Sequence, residues 1–149
     1  MAELSTILKD LGLVLRNVIR ADATILAFNA SVSAQNWIFW RRPQDHHKGF
    51  PVPRIVVESN DQFREGWNVA GNKDVSVPFV VHAWFDQSSV GAYVPDQCAD
   101  RLCVVLEALK GTNGFFKLDI QGCSVDPDPP EDGRVLIHVA VRCGVVWRE

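Results

Sequence analysis

The chain has 149 residues, of which 47% are hydrophobic and 22% are charged. These proportions are those of an ordinary globular domain, and they exclude disordered and collagen-like chains. Fifteen Lys and Arg against eighteen Asp and Glu give a formal net charge of −3, so we expect no general electrostatic affinity for DNA or for an anionic membrane. A chain of this length can bury one core without disulfides or a structural metal. We therefore predict a single domain over residues 1–149.

No stretch of the sequence approaches roughly 18 consecutive apolar residues, so no transmembrane helix is predicted. The N-terminal segment has no basic region followed by an unbroken apolar run, because Lys9, Asp10, Arg16 and Arg20 interrupt it. A secretory signal is therefore not expected, and the chain is predicted to fold in a cytoplasm.

The first twenty residues predict an amphipathic helix. Their apolar residues recur with the spacing of one helix face, namely Leu4, Ile7, Leu8, Leu11, Val14, Leu15, Val18 and Ile19. Gly12 is expected to weaken this helix by ~1 kcal/mol relative to alanine. Asp22 is expected to cap a second short turn over Thr24–Phe28.

Two short strands are predicted next, at Trp37–Trp40 and Arg54–Glu58, because aromatic and β-branched residues dominate both segments. The polar residues Arg41–Phe50 between them predict a loop. The segment Ser59–Asp74 contains several Gly, Asn and Asp residues and predicts a second loop with little regular structure.

A continuous apolar face of every second residue, Val75 to Phe85, predicts a long strand at Val75–Asp86. Pro78 interrupts its hydrogen-bond donors, which favours an edge position or a bulge at that residue.

A second helix is predicted to begin at Pro95 and to end at a left-handed cap on Gly111. Alternation then predicts a half-exposed strand at Phe116–Gln121. The acidic, proline-rich residues Asp126–Gly133 predict a loop. The chain closes on a long strand, Val135–Trp147, with one continuous apolar face.

This order of elements has few helices among many strands and lacks the spacing of βαβ units. It predicts an α+β fold with a single largely antiparallel sheet of four to five strands and two helices packed on one face.

The four cysteines, Cys98, Cys103, Cys123 and Cys143, show no C-x-x-C spacing. We interpret them as buried, reduced thiols that act as small apolar residues. A disulfide framework or a zinc site is the alternative.

Four histidines are the main candidates for chemistry: His46, His47, His82 and His138. A metal or acid–base site would require a carboxylate or a third ligand to converge on them. The sequence contains no phosphate-binding glycine loop and no nucleophile elbow. We therefore predict no catalytic residue, no metal and no cofactor.

Basic and aromatic residues concentrate in one predicted loop, which we interpret as a surface that contacts a protein partner. An unremarkable solvated loop and a weak nucleic-acid contact are the alternatives. Trp67, one of five tryptophans, lies in the other polar segment, where no core periodicity explains it. The predicted partner-binding residues are Trp40, Arg41, Arg42, His46, His47, Lys48, Phe50 and Trp67.

The chain resembles the tail terminator, or tail completion, proteins of long-tailed bacteriophages over nearly its whole length. The resemblance lies in the first helix with its end at Arg20-Ala21-Asp22-Ala23, the strand Pro53–Val57 and the long strand Phe79–Phe85. It continues through the helix Ala99–Leu109 and the end of the last strand, Val145–Glu149. It is a match of pattern and placement, without a catalytic signature.

The resemblance implies a structural virion protein of the tail or neck, assembled in the host cytoplasm. Such proteins form a ring, usually of six subunits, that caps the tail tube, ends its polymerisation and joins the tail to a head-completion or connector protein. Genome DNA would pass through the ring without specific binding. Six copies would carry a formal charge of roughly −18, which repels the phosphates of duplex DNA.

Two alternatives stay open from the sequence. One is another head–tail joining or minor tail protein of the same neck. The other is a small cytoplasmic enzyme that uses His82 and His138 with a nearby aspartate.

Overall fold

A computed structural model describes residues 4–47, 49–59, 64–67, 73–112, 115–131 and 133–148 of the protein. Its helices are α1 (Leu4–Ala21), α2 (Ala23–Leu26) and α3 (Val94–Glu107). Its strands are β1 (Ile38–Trp40), β2 (Arg54–Ser59), β3 (Arg64–Trp67), β4 (Lys73–Asp86), β5 (Phe115–Pro127) and β6 (Leu136–Arg148). Within these ranges, no helix combines the length and the apolar character needed to cross a membrane.

The strands form one sheet in the order β1-β2-β4-β6-β5, and β3 pairs with the first residues of β4 beyond the end of β2. Among the strands that the structure describes, only the β1–β2 pair is parallel, and the other pairs are antiparallel. The predicted α+β fold with a single, mostly antiparallel sheet is confirmed.

One face of the sheet carries the core. The odd-numbered residues of β4 are the register partners of odd-numbered residues of β6, for example Val81 with Val141 and Phe79 with Cys143. The buried residues of both long helices belong to the same apolar cluster: Leu11, Leu15 and Ile19 from α1, and Cys98, Leu102 and Leu106 from α3. Helix α1 contacts β1 and β2, and α3 contacts β5 and β6.

The junction between the helices follows the predicted capping. Asp22 accepts a hydrogen bond from the Ile25 amide at 3.0 Å and so caps α2, as expected. The same carboxylate binds the Arg101 guanidinium of α3 at 2.6 Å, and this hydrogen bond is the main reason that the pKa of Asp22 is lowered. Arg20 donates to the Ile38 carbonyl at 2.6 Å, which ties the end of α1 to β1.

The predicted loop Ser59–Asp74 is wrong in part. Ser59 ends β2, Arg64–Trp67 form β3, and β4 already begins at Lys73. Pairing with β4 overrides the weak strand propensity of the Gly and Asp residues there, because β4 extends past the end of β2 and offers a free edge.

Two further boundaries differ from the predictions. Strand β5 continues to Pro127, because β6 supplies a partner along its whole length, so the following loop is shorter than predicted. Helix α3 ends at Glu107, and Gly111 takes its positive φ of 78° after an intervening turn.

The prediction of an edge position or a bulge at Pro78 is also wrong. Pro78 lies in the central strand β4, opposite Gly144. On its other side it falls between Ser76, the last residue paired with β3, and Phe79, the first paired with β2. The missing N–H of Pro78 is tolerated because neither β2 nor β3 pairs with β4 at this residue.

The cysteines are all free, and Cys98 and Cys143 are buried. Cys103 is half-buried and Cys123, on the edge strand β5, is exposed. The expectation of four buried thiols is therefore wrong for Cys123, because an edge strand leaves side chains accessible that a central strand would cover.

Candidate functional site

The sheet face opposite the core carries a group of ring-bearing side chains. The strand register places Arg54 opposite Trp84 and Trp84 opposite His138. His82 lies two residues before Trp84 and therefore on the same face. The loop between β1 and β2 adds His46 and Phe50. We call His46, Phe50, His82, Trp84 and His138 the open-face cluster.

The rings of this cluster stack closely. Trp84 and His138 are almost parallel, with an angle of 4° between planes and 5.0 Å between centroids. His82 lies 5.0 Å from His138 and 5.4 Å from Trp84. The His46 ring stacks on Phe50, with 4.2 Å between the ring centroids. Its centroid lies 4.7 Å from that of Trp84. Trp84 is only 5% exposed, so the cluster forms a second, smaller packed layer.

The two strand histidines form the middle of a chain of polar contacts. His82 Nδ1 lies 2.8 Å from His138 Nε2. At one end His82 Nε2 is 3.6 Å from a Glu58 carboxylate oxygen, and at the other His138 Nδ1 is 3.6 Å from Asp128. The carboxylates that an acid–base site would need are therefore present, which the sequence did not indicate.

Burial keeps these histidines neutral. Burial, with the neighbouring His138 as the next cause, lowers the pKa of His82 to about 4. Burial also lowers the pKa of His46 to about 4, helped by Arg42 and Arg54. The pKa of His138 is lowered by burial, although Asp128 acts in the opposite direction. At neutral pH these rings are therefore uncharged, and each offers one N–H donor and one acceptor nitrogen.

The loop between β1 and β2 is held against this face by Arg54, whose side chain is 2% exposed. The guanidinium lies 5.1 Å from the rings of both Phe39 and Phe50 and donates to Asp45 at 3.1 Å. From the other side, Arg134 donates to the Phe50 carbonyl at 2.9 Å. The loop is therefore anchored at both its middle and its end.

The structure separates the predicted partner-binding residues. Arg41, Arg42 and His47 are exposed at the surface of the loop, and Arg42 pairs with Glu58 while lying 5.6 Å from the Trp84 ring. His46 and Phe50 belong to the open-face cluster.

Trp40 lies on the core side instead. Its register partner in β2 is Val57. Its ring centroid lies 6.1 Å from that of Phe79, and the ring packs against α1 at Gly12. Trp67 lies in β3, but its side chain is outside the described residues, as is all of Lys48.

A groove of about 380 Å³ opens between the loop and the β5–β6 turn. Arg42, His46 and His47 of the loop line one side, and Asp128, Glu131 and Arg134 line the other. No three His, Cys, Asp or Glu side chains in the described ranges converge in a way that could hold a metal ion.

Sequence reasoning missed Glu58, Asp128 and Arg54 as parts of this site. The alternation in β4 and β6 does indicate which residues share a face. It gives no register between strands separated by a helix and a third strand, and the register is what brings His82 to His138.

In comparisons with protein-family models and with curated proteins, no family and no relative matches this chain.

Proposed function

We propose that this chain is a structural subunit of a long-tailed bacteriophage that forms a ring on the end of the tail tube. The ring ends tube polymerisation and binds a head-completion or connector protein on its other side. The resemblance described above suggests this role, and the observed α+β fold agrees with it.

The sheet edges carry the proposal. Strand β5 has 13 residues and pairs only with β6 among the described strands, while β1 and β3 lie at the other side of the sheet. An unpaired edge offers free backbone donors and acceptors to another chain. Head-to-tail contacts between identical copies cover both sides of every subunit when the rotation closes. A ring is the closed assembly that leaves neither side free.

Within this proposal the predicted partner-binding residues have two roles. Arg41, Arg42 and His47 reach the surface and make the contact. Trp40, His46 and Phe50 hold the loop in place from below. Lys48 and the side chain of Trp67 lie outside the described residues, and both stay predicted members of the contact.

Deletion of the gene in a phage tests the proposal. Tails of uncontrolled length are the expected result, because nothing would then stop tube polymerisation. Tails of normal length that fail to join heads would contradict a terminator and would favour another head–tail joining protein.

A second candidate, an acid–base enzyme, is favoured by the contact between His82 and His138 and by the carboxylates of Glu58 and Asp128 at its ends. Substitution of both histidines by asparagine distinguishes the two functions. A ring subunit keeps its assembly, whereas an enzyme loses turnover while it remains folded.

A further inference from the structure

The two long helices have opposite charge. The sequence of α1 contains three basic residues and one acidic residue, whereas that of α3 contains three acidic residues and one basic residue. Because α1 contacts β1 and β2 while α3 contacts β5 and β6, the charges separate across the strand order. Among the helices, the α1 side is therefore basic and the α3 side acidic, although α1 and α3 also contact each other.

The acidic flank is a single stripe along α3. Tyr93, Asp96, Asp100, Val104 and Glu107 follow the spacing of one helix face, and all five are exposed. Tyr93 is 75% exposed and Val104 is 54% exposed, two of the three most exposed large apolar side chains in the described residues. None of the ion pairs formed within those residues involves the three carboxylates.

The basic flank is a matching stripe along α1. Lys9 and Arg16 have the helical spacing that places them beside Gly12, where the ring of Trp40 lies against the helix. Arg41 extends this stripe, because its guanidinium lies 5.3 Å from the same Trp40 ring. Leu13 lies between the basic residues and is partly exposed without belonging to the core cluster.

We propose that the α3 stripe of one copy docks on the α1 stripe of the next copy, with Val104 against Leu13 and the carboxylates against Lys9, Arg16 and Arg41. The occupant is a second copy because both halves of the contact are present on every chain, on different helices. This inference rests on the proposed ring and names the contact that closes it. The charges also disfavour a contact between two α3 stripes or between two α1 stripes, because like charges would then meet.

Two charge-reversed variants test this contact. Lys9→Glu/Arg16→Glu gives two acidic flanks, and Asp100→Lys/Glu107→Lys gives two basic flanks. Each variant alone is expected to stay dissociated, with at least about a tenfold weaker subunit association than the unchanged protein. An equal mixture is expected to assemble again, because every contact then joins an acidic to a basic flank. Because the two variants must then alternate around the ring, the ring should contain an even number of subunits and equal amounts of both variants.

Arg142→Glu provides the control, since Arg142 is exposed in β6 and belongs to neither stripe. Its assembly should match that of the unchanged protein. Val104→Arg probes the apolar centre without disturbing the core, and it should weaken association as well. Circular dichroism checks that every variant is folded, and native mass spectrometry counts subunits.

The outcomes separate this contact from the ring itself. If the unchanged protein forms rings and the reversed variants form them equally well, or if the folded mixture stays dissociated, the proposed contact is wrong and the ring stands. If the unchanged protein stays a monomer alone and with tail tube protein, both proposals fail. Salt should weaken the association of the unchanged protein, because the pairs at the rim are screened.

Discussion

At the scale of single residues, Gly12 lies where the ring of Trp40 crosses α1. A Cβ added there would overlap ring atoms of Trp40, and the ring itself packs against Phe79. From the sequence alone, Gly12 looks like a defect in a helix. In the structure it is the position that lets β1 approach α1.

Gly12→Ala should therefore destabilise the protein, although helix propensity alone would stabilise it by ~1 kcal/mol. We expect the free energy of unfolding in urea to fall by about 1–3 kcal/mol, the usual range for overpacking. Gly122→Ala is the matched control, because a Cβ at Gly122 meets no atom within 4 Å. If Gly12→Ala is stabilising while Trp40 is present, the close packing of this ring on α1 is wrong. In a Trp40→Ala background the substitution should become neutral or stabilising.

Arg54 is the residue that holds the loop between β1 and β2 on the sheet. It contributes the contacts to Asp45, Phe39 and Phe50 from a buried position. Arg54→Ala should free the loop while the core on the opposite face stays intact. We expect faster hydrogen exchange at the amides of His46 and Phe50, which are bonded within the loop, and unchanged exchange in α3. Arg142→Ala should change neither. Equal acceleration in α3 would mean that Arg54 supports the whole domain.

At the scale of elements, the open-face cluster makes stability depend on pH. The pKa of both His46 and His82 is lowered to about 4 in the folded protein, whereas an unfolded histidine titrates near 6.5. Below about pH 6.5 the unfolded chain binds protons that the folded chain does not, so the free energy of unfolding should fall as the pH drops towards 4. Above about pH 7 this contribution is fully present.

Urea unfolding at pH 7.5, 6 and 5 measures this dependence. Aspartates whose pKa is lowered in the folded protein, such as Asp22 and Asp45, also reduce the free energy of unfolding when they are protonated. They do so mainly at more acidic pH. In the His82→Gln/His138→Gln variant the slope between pH 7.5 and 5 should be flatter. An unchanged slope in this variant would show that these two histidines do not bind protons differently in the two states.

The sequence predicted the elements better than it predicted their arrangement. Periodicity located α1, β4 and β6, because each has a long run with one buried face. It did not locate β3, whose four residues become a strand only through pairing with the overhanging end of β4. It also left His82 and His138 as unrelated positions, because the contact between them depends on a register set by the whole sheet. The sequence predicts Trp40 as a surface anchor, because it cannot show that Gly12 leaves room for the ring.

At the scale of the whole molecule, the small negative charge of one chain matters for DNA only when several copies add their charges. In the proposed ring, a formal charge of −3 per chain would repel duplex DNA overall, although each subunit has a basic α1 side. We expect no retardation of duplex DNA at physiological salt. Retardation by the assembled protein that weakens steeply with added salt would indicate phosphate contacts and would contradict a channel through which DNA slides freely.

The mass of the assembled protein under native conditions tests the ring most directly. The protein should be measured alone and after mixing with tail tube protein. A closed ring of about six copies of the 16.6 kDa chain, near 100 kDa, is the expected result. A 16.6 kDa monomer in both samples would contradict the account.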